Sequence, residues 1–202
     1  MSPRLFRRSH QAMPIPGITV SDRRHSHVLQ SPLTAPRRGS MLHYDDSSRD
    51  DWAVEWFHDP RCTNGYTWLV LDDGRVVELA DPAFRTPHAG PCLTPNANSA
   101  FYGVAAATNG LVPVTNAQFA AITAICAAVL KHHAWTDDAL DHRLVGHDEQ
   151  AIWTPAYTSR RALWGTTGRK VDPRGQRKDG QPILDLVALR ERVRQTTRPY
   201  SL

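Results

Sequence analysis

Short apolar runs separated by polar turns are the main pattern along the chain. The runs that predict strands are residues 41–44, 65–71, 75–79, 100–106 and 144–146. Two of them flank Asp72-Asp73-Gly74, and an Asp-Gly turn between apolar runs is typical of a β-hairpin. The first run is followed by the polar turn 45–48, so a strand is expected to end where polar side chains begin.

Apolar residues three and four positions apart predict three helices. The first is expected to follow a cap at Ser47 or Ser48, to end before Pro60 and to bury one face that carries Trp52, Ala53, Trp56 and Phe57. Thr115 and Gln118 have capping-box spacing and begin the second helix. Its apolar stripe is Phe119, Ile122, Ile125, Cys126, Val129 and Leu130. A third helix is predicted over 184–193, and the order of elements predicts an α/β fold with a mixed central sheet flanked by helices.

Positive charge is concentrated at the beginning of the chain. Residues 1–40 contain seven arginines and one acid, Asp22, a net charge of +6, whereas the other 17 basic and 19 acidic residues sum to −2. We therefore predict an extended, basic arm over 1–38 and one ordered domain over 39–202. Such an arm suits an anionic envelope polymer, or only a solvated tail. Because the body is slightly acidic, no specific nucleic-acid groove is expected.

Other features narrow the class of protein. No run approaches the roughly 20 apolar residues that a membrane span requires. The first 20 residues contain early arginines and no uninterrupted apolar stretch, so they do not read as a secretory signal, and cytoplasmic synthesis is expected. Cys62, Cys92 and Cys126 form no CxxC pair, which favours free thiols. A monomer is expected.

Two histidines and one acid stand where metal ligands are often found. His43 lies at the end of an apolar strand, His147 follows the strand-like 144–146, and Asp172 precedes Pro173. Two imidazoles and a carboxylate leave zinc a fourth position for water, as catalytic zinc sites require. Pro173 favours an extended backbone at Asp172, so Lys170, two residues earlier, is expected to point to the same side.

Six motifs occur in an order that resembles the zinc amidases of the type 2 N-acetylmuramoyl-L-alanine amidase and peptidoglycan-recognition superfamily, in particular its phage-endolysin-like branch. They are LHYDDSS, NGYTWLVLDDGRVVEL, PHAG, NANSAFYGV, GHDE and RKVDP, and the resemblance covers about residues 40–195. It implies that His43, His147 and Asp172 bind Zn²⁺. It also implies catalytic roles for Tyr66 and Lys170, and positions near the substrate groove for His88 and Asn98.

The resemblance implies a function and leaves alternatives open. The expected reaction is hydrolysis of the amide between the muramic acid lactyl group and L-alanine of peptidoglycan, through a zinc-activated water. Cytoplasmic recycling amidases of this superfamily have Gly-Ile-Glu where this chain has Gly103-Val104-Ala105, so the missing carboxylate favours a mechanism that depends on Tyr66 and Lys170. A wall-degrading activity without a secretory signal favours a phage or prophage lysin that acts on the wall after release, or else a secreted effector. A peptidoglycan-binding module and a recycling amidase stay open. The aromatic loop 149–168 is expected either to line the groove or to cover the core.

Overall fold

The computed structural model describes residues 13–22, 30–47, 50–152, 170–175 and 179–198. Its strands are β1 (Val20–Asp22), β2 (Gly39–Tyr44), β3 (Trp68–Val70), β4 (Val76–Glu78), β5 (Phe101–Ala106) and β6 (Leu144–Gly146). Its helices are α1 (Asp50–His58), α2 (Ala97–Ala100), α3 (Asn116–His132), α4 (Leu140–Arg143), α5 (His147–Gln150) and α6 (Leu186–Thr197).

The six strands form one sheet in the order β1-β4-β3-β5-β2-β6. β3 and β4 are antiparallel, and the other neighbouring strands are parallel. The predicted hairpin is therefore present, with Gly74 at a positive φ of 85° in its turn. The mixed α/β sheet that the sequence predicts is confirmed.

The two faces of the sheet are packed differently. Leu42 and Val104 belong to the larger core, which α3 and α6 cover. The capping box at the start of α3 is formed by Thr115 and Gln118, as predicted. On the other face, Ala105 packs with α1 residues in a smaller core. Side chains alternate along β2, so His43, which follows Leu42, points to the face that carries α1.

Helix α1 corrects one detail of the predicted apolar face. Ala53 and Phe57 are buried in the smaller core, but Trp52 is 62% exposed and Trp56 is 47% exposed. Trp52 and Trp56 are four residues apart, as are Ala53 and Phe57, so each pair lies on one face of the helix. The two faces are neighbours, and the face with Ala53 and Phe57 is the one that contacts the sheet. The predicted cap at Ser48 lies outside the described residues.

Parts of the predicted arm belong to the folded domain. Met13 and Ile15 are buried in the larger core, and β1 adds a parallel strand beside β4. The Arg37 guanidinium donates hydrogen bonds of 2.6–3.1 Å to four main-chain carbonyls, those of Pro82, Phe84, Ser99 and Phe101. These contacts tie Arg37 to the folded domain. Residues 1–12 and 23–29 of the arm lie outside the described part of the chain.

Three further expectations concern the cysteines, membrane-spanning helices and the aromatic loop. Cys62, Cys92 and Cys126 are free thiols, as expected. Over the described ranges, no helix has the length and apolar character needed to cross a membrane. The chain from Glu149 to Ile152 forms the end of α5 and a short extension, whereas Trp153, Tyr157 and Trp164 of the predicted aromatic loop lie outside the described residues.

Candidate metal centre and groove

Two neighbouring parallel strands bring His43 and His147 together. Leu42 of β2 pairs with Gly146 of β6, and the next residue along each chain is a histidine. Parallel strands run in the same direction, so both imidazoles lie at one edge of the sheet. The Nδ1 atoms of His43 and His147 are 3.0 Å apart, and both side chains are buried.

Asp172 reaches the same point from a separate segment. The amide of Asp148, in α5, donates a 2.7 Å hydrogen bond to the carbonyl of Asp172 and so fixes this segment beside His147. The Oδ2 atom of Asp172 lies 2.8 Å from His43 Nδ1 and 3.3 Å from His147 Nδ1. The structure thus brings together all three residues that the sequence predicts as metal ligands.

Burial and local charges set the protonation of this cluster. Burial lowers the pKa of His43 from its ordinary value to about 4, against the effect of its hydrogen bond to Asp172. Burial by itself raises the pKa of the Asp172 carboxyl, but Lys170, His147 and His43 hold that pKa well below its ordinary value. An uncharged His43 imidazole and an ionised carboxylate are the forms that bind a metal ion.

The three atoms are close enough together to share one zinc ion. With zinc-to-ligand bonds of about 2.0–2.2 Å, two tetrahedral ligand atoms are separated by roughly 3.3–3.6 Å. The separations here are 2.8, 3.0 and 3.3 Å, so two of the three pairs are closer than in a tetrahedral site. Nitrogen and carboxylate oxygen are ordinary zinc donors, so the residues fit this metal.

Lys170 and Tyr66, the predicted catalytic residues, both adjoin the cluster. Lys170 Nζ is 3.8 Å from Asp172 Oδ1, and its side chain is 14% exposed. The ring of Tyr66 is 5.0 Å from that of His43, and its hydroxyl donates to the Tyr44 carbonyl at 3.4 Å. Burial, followed by the charge of Asp172, raises the pKa of the Tyr66 phenol well above its ordinary value.

His88 and Asn98, the predicted substrate-binding residues, have different positions. His88 lines the groove, but both ring nitrogens contact the protein: Nδ1 is 3.1 Å from His43 Nε2, and Nε2 is 3.1 Å from the Phe101 carbonyl oxygen. Asn98 is not among the described lining residues, and its Oδ1 accepts hydrogen bonds from the amides of His88 and Ala89. Asn98 therefore supports the loop that carries His88.

A groove of about 540 Å³ runs between α1 and this loop. Tyr66, His88 and Lys170 line its inner end, and each of them contacts one of the predicted ligands. Its outer wall includes Trp52 and Trp56, which were predicted to face the core. The sequence shows two apolar pairs on neighbouring faces of α1, but it does not show which of the two pairs is buried.

The mixed sheet, with two histidines and a carboxylate at one edge, defines the fold class of type 2 amidases and peptidoglycan-recognition proteins. The chain belongs to the Amidase_2 family, N-acetylmuramoyl-L-alanine amidase, which matches residues 33–175. No curated protein sequence matches it.

Solved structures share the fold at low sequence identity. An AmpD derivative superposes with a TM-score of 0.63 at 16% identity, covering 86% of this chain and 93% of that one. Staphylococcus aureus hydrolase AmiA gives a TM-score of 0.60 at 14% identity, with 94% and 85% covered. Drosophila peptidoglycan recognition protein SA gives 0.52 at 16% identity, with 68% and 84% covered. These likenesses confirm the fold that the sequence resemblance implies.

Proposed function

We propose that this chain is a zinc-dependent peptidoglycan amidase that cleaves between the lactyl group of N-acetylmuramic acid and L-alanine. The observation that carries the proposal is the buried triangle of His43 Nδ1, His147 Nδ1 and Asp172 Oδ2. The triangle lies directly behind Tyr66, His88 and Lys170, which line the groove and contact these residues. Family membership supports the amide as the bond that is cleaved.

The three ligands suit Zn²⁺, which when bound lowers the pKa of a coordinated water toward about 7 and polarises a carbonyl group. His43 and His147 hold their Nδ1 atoms toward a common point because β2 and β6 are in register. Asp172 supplies negative charge, and its position is fixed through the main chain of Asp148. These residues are the proposed metal-binding set.

Lys170 is the proposed stabiliser of the reacting carbonyl oxygen. Its ammonium lies at the inner end of the groove, next to Asp172, and is mostly shielded from solvent. Negative charge builds on the carbonyl oxygen as the carbon becomes tetrahedral, and a positive group already in place lowers the energy of that state. Lys170 holds its charge on the side from which the substrate enters.

Tyr66 is the proposed hydrogen-bond donor to the substrate or to the attacking water. Within the described part of the chain, its hydroxyl makes one long hydrogen bond, to the Tyr44 carbonyl at 3.4 Å, so it can exchange that partner for another acceptor. Ala105, which pairs with His43 across β2 and β5, carries no carboxylate, unlike the glutamate of the recycling enzymes. This difference favours a mechanism that depends on Tyr66 and Lys170, and supports a lysin acting on the wall.

The groove supports a polymeric substrate. Two exposed indoles on one wall provide flat apolar surface, and the polar residues Asp46 and Asn64 line the same cavity. Sugar rings have one apolar face and polar edges, so a mixed aromatic and polar groove suits a glycan with an attached peptide. Peptidoglycan is the proposed partner.

Digestion of purified peptidoglycan tests the proposal. Mass spectrometry of the soluble products is expected to show stem peptides that begin with L-alanine and glycan chains that keep the lactyl group. Protein that pellets with sacculi but releases nothing would instead indicate a binding module. Activity confined to soluble anhydro-muropeptides would indicate a recycling amidase.

A further inference from the structure

The imidazole of His88 lies between a main-chain carbonyl and His43. Its Nε2 is 3.1 Å from the carbonyl oxygen of Phe101, and its Nδ1 is 3.1 Å from His43 Nε2. The two rings are nearly perpendicular, at 83°, and His88 is only 7% exposed. His88 therefore uses both of its nitrogens within the protein.

The Phe101 carbonyl determines where the hydrogens lie. A carbonyl oxygen can only accept, so His88 Nε2 must carry the hydrogen that it donates. In a neutral imidazole the other nitrogen is then an acceptor, so His88 Nδ1 accepts from His43 Nε2. His43 Nε2 consequently carries its own hydrogen. The lone pair of His43 then lies on Nδ1, the atom that faces His147 and Asp172, as binding of a metal ion at Nδ1 requires. Without a metal ion, the ionised Asp172 carboxylate, 2.8 Å away, competes for a hydrogen on the same Nδ1.

The surrounding residues hold His88 in this position. Asn98 Oδ1 accepts hydrogen bonds from the amides of His88 and Ala89 at 3.0 and 2.7 Å. Gly103, on the strand beneath the ring, leaves the space that the ring occupies, since a Cβ at this position would lie 2.8 Å from His88 Cγ. The ring is thus fixed by its loop, by the strand below it and by the Phe101 carbonyl.

We infer that His88 is a positioning residue that fixes His43 in the tautomer whose Nδ1 is available to the metal ion. Partners of this kind orient metal-bound histidines, and their loss weakens metal binding. The inference rests on the metal site of the proposed function, and it gives His88 and Asn98 a role behind the site in place of substrate contact.

Zinc-loaded full-length protein provides the first test. A long-range ¹H–¹⁵N correlation spectrum at neutral pH shows which nitrogen of each histidine carries a hydrogen. Both His43 and His88 are expected to carry it on Nε2. A His88 with its hydrogen on Nδ1, or a His43 bound to zinc through Nε2, overturns the inference, and this measurement needs no variant.

Two substitutions at His88 test the effect on metal binding. His88→Phe keeps a ring but has no acceptor for the hydrogen on His43 Nε2, so zinc affinity is expected to fall roughly 10- to 100-fold. His88→Asn has an acceptor oxygen as many bonds from the backbone as Nδ1, so it is expected to recover most of that affinity. His133→Phe is the matched control, since His133 instead contacts the Tyr102 hydroxyl. Its zinc affinity is expected to equal that of the wild type.

Competition with a chromophoric chelator measures the zinc affinity of each variant. Wild-type affinity in His88→Phe contradicts the inference, as does an equal loss of affinity in His88→Asn and His88→Phe. None of these readouts uses peptidoglycan. Failure of the inference is therefore distinguishable from failure of the proposed amidase activity, which product analysis tests separately.

Discussion

The two carboxylate oxygens of Asp172 face different partners: Oδ2 lies 2.8 Å from His43 Nδ1, whereas Oδ1 lies 3.8 Å from Lys170 Nζ. One carboxylate therefore links the proposed metal ligands to the proposed catalytic cation. The two roles are metal binding and stabilisation of the reacting carbonyl oxygen. A substitution at Lys170 tests the second role by itself, because Lys170 is not one of the three proposed metal ligands.

Lys170→Ala is expected to slow hydrolysis of purified peptidoglycan about 100-fold, because a positioned donor for the developing oxyanion is lost. Its zinc content is expected to stay at the wild-type level. Lys131→Ala removes an exposed lysine at the end of α3 and is the matched control, with wild-type turnover. Turnover of Lys170→Ala within a factor of two or three of wild type would exclude the assigned role.

Trp56→Ala is expected to raise KM for polymeric peptidoglycan about tenfold, as a loss of about 1.4 kcal/mol of apolar contact implies. The smaller soluble muropeptides are expected to show a weaker effect. Leu111→Ala removes a similarly exposed apolar side chain that does not line the groove, and is the control. An unchanged KM for the polymer in Trp56→Ala would show that the indole wall does not contact substrate.

Two truncations separate the roles of the N-terminal segment. Removal of residues 1–12, which include Arg4, Arg7 and Arg8, is expected to preserve the free energy of unfolding and to weaken salt-dependent binding to an anionic envelope polymer. Removal of 1–38 also takes away Met13, Ile15, β1 and Arg37. The loss of the two buried side chains is expected to cost more than about 3 kcal/mol of unfolding free energy.

Chemical denaturation and sedimentation with purified envelopes measure these two effects. Equal envelope binding by the full chain and the chain without residues 1–12, at every salt concentration, would contradict the prediction that these residues bind an anionic envelope polymer. Equal stability of both truncated chains would mean that the buried residues before 39 do not contribute to the fold.

Local signals predicted most of the fold. The Asp-Gly turn, the capping box at Thr115 and the alternating runs depend on neighbouring residues, so the hairpin and α3 follow from sequence alone. Strand β1 could not be predicted in this way because its three residues are ordered by pairing with β4, a partner more than fifty positions away. The exposure of Trp52 and Trp56 depends on which face of α1 meets the sheet, which is also a property of the tertiary structure.

The sequence predicted which residues belong to the candidate site, but not how those residues contact one another. His43, His147 and Asp172 were identified by resemblance. The sheet explains why His147, 104 positions away, meets His43, and the Asp148 amide holds Asp172, 129 positions away, beside them. The position of His88 behind His43 depends on the Phe101 carbonyl, the Asn98 side chain and the absence of a Cβ at Gly103. No spacing in the sequence encodes that set of contacts, so the sequence predicted the position of His88 at the groove but not its contact with a proposed ligand.

The most direct test of the account is the appearance of N-terminal L-alanine when purified peptidoglycan is incubated with the protein stripped by a chelator, then restored with zinc. The account predicts no release by the stripped protein and recovery with about one zinc per chain. It also predicts that Asp172→Asn recovers no activity, since loss of a direct ligand should weaken zinc binding by more than the roughly 10- to 100-fold typical of outer partners. Full alanine release by the metal-stripped protein would contradict the central claim.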